Sequence, residues 1–190
     1  MTLNERRERL SQASAVARIA LLAGCAERVI QIHEAHWVGD YAPELVRVIE
    51  QAWVRACGGT IDSGELAANR SALEQLVAFY NDESIGILAN CSTLALRIAQ
   101  CLEASTEQDA VLAVARGTSN HLSAAMLVDH AIHDAKAPGY PAEAEERAWQ
   151  TKAFERIATW QGVARRNMFA DFGPLPPTWW AAYQASKNPI

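Results

Sequence analysis

No stretch of this sequence approaches the roughly 20 consecutive apolar residues needed to span a bilayer, which argues against a membrane-embedded chain. It also lacks any excess of positive charge. There are 17 basic residues against 22 acidic ones, giving a formal charge of −5 with the five histidines neutral. Residues 1–100 carry 9 basic and 12 acidic groups and residues 101–190 carry 8 and 10, so neither half holds a basic arm to follow a phosphate backbone. The opening residues, Met1-Thr2-Leu3-Asn4-Glu5-Arg6, mix charge signs and contain no signal-peptide core, so a cytoplasmic location is expected. Cysteine is scarce. Cys25, Cys57, Cys91 and Cys101 are spaced 32, 34 and 10 apart, with no C-x-x-C and no zinc-ribbon spacing. Each sits among apolar neighbours, and the expectation is four buried free thiols.

Alternating strand patterns longer than four residues are absent, as are internal repeats and low-complexity tracts. What is present is helical periodicity from end to end, in a chain half of whose residues are apolar. At 190 residues and 20.8 kDa the chain is long enough for one well-filled domain and too short for two ordinary ones, so residues 1–190 read as a single all-α bundle of six or seven helices. Thr2-Leu3-Asn4-Glu5 has capping-box spacing and opens a first helix over 3–37, with a break expected near Ser11–Ser14 or Gly24. Pro43 starts a second, with Leu45, Ile49, Trp53 and Ala56 inward and Arg47, Gln51 and Arg55 outward, ended by Gly58-Gly59. A third covers 64–80. A fourth, over 84–103, carries two adjoining apolar stripes and should be the most buried. Ser105-Thr106-Glu107-Gln108 reads as a capping box for a fifth helix running to Ala135, in which Gly117 marks a kink. Pro141 opens a sixth with Glu143, Glu145 and Glu146 as a solvated first turn and Arg165-Arg166 in its last. Beyond it, a Pro/Trp-rich tail with one short helix capped by Thr178 folds Trp179, Trp180 and Tyr183 over the bundle end.

Chemistry-bearing residues are few. His33 and His36, and His130 and His133, form two H-x-x-H pairs, each able to offer two imidazoles on one helix face. A bundle can bring such pairs together around a metal, and His133-Asp134 with Asp171 downstream has elements of an H…HD…D phosphohydrolase pattern, for which His33, His36 or His121 could serve as the upstream ligand. There is, however, no E-x-x-H, no H-E-x-x-H, no G-x-S-x-G elbow and no phosphate-binding glycine loop. The plainer alternative is that His33 and Asp129, both on apolar stripes, hydrogen-bond helix to helix, leaving His36, His130 and Asp134 at the rim. On that reading no metal, cofactor or catalytic residue is assigned.

Cys25-Ala-Glu27-Arg28, the acidic turn Gly39-Asp40, Leu45…Ile49…Trp53, and the helix ending Leu96 to Leu102 followed by Glu107 to Val128 together resemble the YjaG-like group of small all-helical bacterial cytoplasmic proteins. The resemblance covers residues 20–130 and carries no catalytic residues with it. Small acidic helical proteins are also similar as a class to immunity proteins of bacterial toxin systems. The function expected is therefore non-enzymatic: an immunity protein that binds a cognate toxin domain with a basic surface. Exposed aromatics are also compatible with a homodimer. Glu34, His36, Trp37, Asp40 and Tyr41 are the expected partner-binding cluster, because they join carboxylates for steering to aromatics for anchoring. Asp82 with Glu83, and Asp129 to Asp134, are two further acidic clusters.

Overall fold

The computed structural model describes residues 1–36, 43–133 and 141–187; of residues 34–36, 133, 141 and 186–187 it describes the backbone alone. Among these residues there are eight α-helices: α1 (Leu3–Gln12), α2 (Ala15–His36), α3 (Pro43–Ala56), α4 (Ser63–Asp82), α5 (Gly86–Glu103), α6 (Glu107–His133), α7 (Pro141–Thr159) and α8 (Trp179–Lys187). A short 3-10 turn, Ala170–Phe172, precedes α8, and no strand occurs among the described residues. The all-α bundle expected from periodicity is the fold observed.

Helix boundaries follow local chemistry. Thr2 and Glu5 form the reciprocal capping box of α1. The first helix does break where serines interrupt the pattern: Ala13 is extended, and the Ser14 hydroxyl accepts from Ala17 N–H to start α2. Gly24 lies inside α2 without a break, because its missing side chain admits Phe169 and Trp149. The capping residue of α6 falls one position later than its sequence implies. Thr106, not Ser105, accepts from Asp109 N–H and in turn donates to the Asp109 carboxylate.

Gly117 does not interrupt α6. The helix is one element from Glu107 to His133, and a Cβ at Gly117 would stand 2.3 Å from Leu22 Cδ1 and 3.3 Å from Leu94 Cδ1. Its role is the close approach of α6 to α2 and α5. α7 stops at Thr159, so Arg165 and Arg166 are not in its last turn. Beyond the helix end Gly162, at a φ of +87°, takes the left-handed conformation open to glycine, and Ala164 N–H then donates to Ala56 O of α3. Ala164 and Met168 are buried all the same, through this return path and not by helical register.

The core is centred on α5, which packs chiefly against α6 and α4 and also touches α2 and α3. Ten of its eighteen residues are buried, yet it is not the most buried helix as expected: α2 is, with every residue from Ala20 to Ala26 buried. Gln51, expected outward, is buried and accepts from Asn69 Nδ2 of α4 at 3.4 Å. Cys25, Cys91 and Cys101 are buried, whereas Cys57 is exposed at the end of α3. Trp179 and Tyr183 are buried, so α8 closes over the bundle as its aromatic spacing implies.

Candidate functional site

Antiparallel packing collects four helix ends at one pole. The α4–α5 turn, in which Ser84 adopts a φ of 57°, reverses the chain so that the C-terminus of α4 lies beside the N-terminus of α5. Gly86 at that N-terminus faces Leu127, near the C-terminus of α6. The C-terminal part of α2 joins them through His33, whose Nε2 is 2.8 Å from the Tyr80 hydroxyl of α4, with the two rings edge to face at 5.5 Å. Burial pushes the Tyr80 phenol up to about 12 and the neighbouring Cys91 thiol up to about 12, so both stay protonated at neutral pH.

The described stretches that run into this pole, residues 29–36, 71–96 and 117–133, contain no Lys and no Arg, against five acidic residues: Glu34, Glu74, Asp82, Glu83 and Asp129. Of those at the pole, Asp82 and Glu83 are exposed beside Phe79, a large apolar side chain 47% exposed at the end of α4. Met126 on α6 is also exposed. Asp129 has another task. It is fully buried, and its two carboxylate oxygens accept from Ala142 N–H at 2.9 Å and Glu143 N–H at 2.8 Å, capping the start of α7 from α6.

The five residues expected to bind a partner fall largely outside the described set. Trp37, Asp40 and Tyr41 lie outside it, and Glu34 and His36 are described only as backbone in the last turn of α2. Asp134 and the side chain of His133 also lie outside it, while His130 is exposed. His33 and Asp129 bond helix to helix, as their place on apolar stripes implies. Asp171 is exposed and held by both terminal nitrogens of Arg156 at 2.7 Å. Among the described residues no group of three His, Cys, Asp or Glu side chains is arranged to hold a metal ion.

A second polar assembly escaped the sequence reading. Glu146, read as part of a solvated first turn, is fully buried. Its carboxylate accepts from Arg28 Nε at 2.5 Å, Arg28 Nη2 at 2.8 Å and Trp179 Nε1 at 2.7 Å. His121 Nε2 lies 2.9 Å from the same carboxylate, near enough to pair with it but not aligned as a hydrogen bond, and His121 Nδ1 is 2.8 Å from Gln150 Nε2. Arg28 also donates to Glu145 and to Pro174 O, and its guanidinium sits over the Trp149 ring. Burial by itself would raise the Glu146 carboxyl; the His121 and Arg28 partners outweigh it and hold the group down at about 2. This cluster ties α2, α6, α7 and α8 together. The legible signals were Arg28 on the apolar face of a long helix and two glutamates one turn before Trp149.

Compared with protein-family models, curated proteins and solved structures, the chain matches none of them.

Proposed function

We propose that this chain is a non-enzymatic binding protein, an immunity protein that neutralises a cognate bacterial toxin domain by direct contact through its acidic pole. The observation that carries the reading is the meeting of three chain stretches free of Lys and Arg around exposed Asp82, Glu83 and Phe79. Unbalanced acidic charge accelerates encounter with a basic surface, and a half-exposed aromatic beside it offers an anchor that releases water on binding. The sequence-derived cluster Glu34, His36, Trp37, Asp40 and Tyr41 remains part of the proposed partner-binding set alongside Asp82 and Glu83. A cytoplasmic location and the toxin-neutralising role go together, since the chain would meet its target where both are made. No helix among the described residues is long and apolar enough to cross a membrane.

The test is genetic and then physical. The product of the neighbouring gene, expressed alone, should arrest growth, and co-expression of this chain should restore it. Reversing Asp82 and Glu83 to Lys, or Glu34 and Asp40 to Lys, should slow association and reduce its dependence on salt while leaving the thermal midpoint nearly unchanged. A neighbouring product that is harmless, or one bound with unaltered affinity and salt slope by both charge-reversed variants, rejects the reading. A stoichiometric zinc, iron or manganese lost on His130→Ala/His133→Ala would favour metal-dependent hydrolysis in its place.

A further inference from the structure

At the pole opposite the acidic one, a groove of about 730 Å³ opens between the α1–α2 junction, the ends of α3 and α5 and the start of α6. Its volume lies within the range of small-molecule sites. The charges lining it are Arg18, Arg55 and Glu107, so a chain of net charge −5 presents here a locally cationic recess. Val16, Ile19 and Leu102 supply apolar walls.

Arg18 is the unusual member. Its side chain is only 5% exposed, yet its one acidic partner among the described residues, Glu107, is 70% exposed and 2.9 Å away. Among the described residues only Nη1 is engaged, by Glu107 and by Leu10 O, while the buried Nε has no acceptor. A buried guanidinium N–H without an acceptor is costly unless another acceptor reaches it. Arg55, exposed on α3, has no acidic partner among the described residues and faces the same groove. Glu107 is free to swing into solvent, because an exposed carboxylate loses little on leaving such a pair. It occupies the position that the head of an anionic ligand would take.

We infer that this groove binds an amphiphilic organic anion, a carboxylate or phosphate head on a short aliphatic body, with Arg18 and Arg55 on the head, Val16, Ile19 and Leu102 along the body, and Glu107 displaced on binding. Carboxylate and phosphate heads share the chemistry that a guanidinium recognises.

Calorimetric titration with octanoate and octyl phosphate, against 1-octanol as the uncharged control, tests it. At least one of the two anions should bind saturably at a single site, at least about tenfold tighter than the alcohol. Arg55→Ala should weaken that binding about three- to tenfold, and Glu107→Gln should tighten it by removing the internal competitor. Arg18→Met should abolish it, but because Arg18 is buried the exposed Arg55 and Glu107 variants carry the decision if that protein fails to fold. Failure of both anions to bind at millimolar concentration overturns the proposal. So does equal binding of 1-octanol, or an affinity that Glu107→Gln leaves unchanged or weakens. The Glu107 variant separates a ligand site from a purely structural ion pair, since loss of a structural pair would not improve binding of anything.

Discussion

Glu146→Gln is the substitution with the largest expected effect. The native carboxylate is fully buried, receives three hydrogen bonds from Arg28 and Trp179, and has His121 Nε2 at 2.9 Å. The amide keeps the shape but removes the negative charge and turns an NH₂ group toward donors. Arg28 then keeps only Glu145, itself 23% exposed, as an anionic partner. Breaking a buried pair from one side costs about 3–5 kcal/mol, because the surviving charge stays out of water uncompensated. Urea unfolding followed by tryptophan fluorescence reads this directly, since Trp149 and Trp179 both touch the cluster. Removing both charges together in Arg28→Met/Glu146→Leu should cost clearly less than the single change, because no unpaired ion remains. The pH dependence has a fixed sign. The Glu146 carboxyl is lowered from 4.5 to about 2, so its contribution is complete above the unfolded value and is lost as pH falls from about 4.5 toward 2. Glu146→Gln should flatten the acid limb in that window. A loss below about 1 kcal/mol, with an unaltered acid limb, would refute the assignment of Glu146 as the charged centre of this cluster.

Asp129→Ala should lower stability by about 1–2 kcal/mol and speed amide exchange selectively in the first turn of α7, because both caps there are lost together. Gly117→Ala should destabilise by about 1–3 kcal/mol despite the better helix propensity of alanine, since the new methyl overlaps a fully buried Leu22; a gain in thermal midpoint would contradict the close approach of α6 to α2. Trp53→Ala should cost about 3–5 kcal/mol in urea unfolding, and Trp160→Ala distinctly less, because Trp53 is 3% exposed while Trp160 sits half-buried just beyond the end of α7.

Periodicity and caps placed the helical segments among the described residues, because helix formation is governed by residues three or four apart, though eight helices stand where six or seven were expected. The start of α3 at Pro43, the break at Ser14 and the short helix after Thr178 all follow from such local signals. One boundary slipped where a longer apolar stripe outweighed a stop signal. Trp160, Ala164 and Met168 continue the inner stripe of α7 in register, but the helix ends at Thr159 and the left-handed Gly162 follows it. Gly117 was read for its propensity when its function is steric, and steric fit depends on which helix crosses it. The buried cluster was hidden for the same reason. Glu143, Glu145 and Glu146 look alike in the first turn of a helix, and only the distant Arg28 and His121 decide which one leaves water. Charge depletion at the acidic pole was present in the sequence in three separate stretches, but it becomes a surface property only when α2, α4 and α6 end together.

The Arg28–Glu146 pair has a consequence for the order in which the protein can be made. Its members are 118 residues apart, and the contacts that finish the cluster, Pro174 O and Trp179 Nε1, come later still. During synthesis α2 leaves the ribosome with Arg28 on a face meant for the interior, and no counter-ion yet exists for it. Docking of that helix must wait, or proceed with the guanidinium held in water, until α7 has been translated. The segment around α8, made after both α2 and α7, supplies the contacts that complete the cluster, so the earlier helix settles fully only once later sequence has been translated.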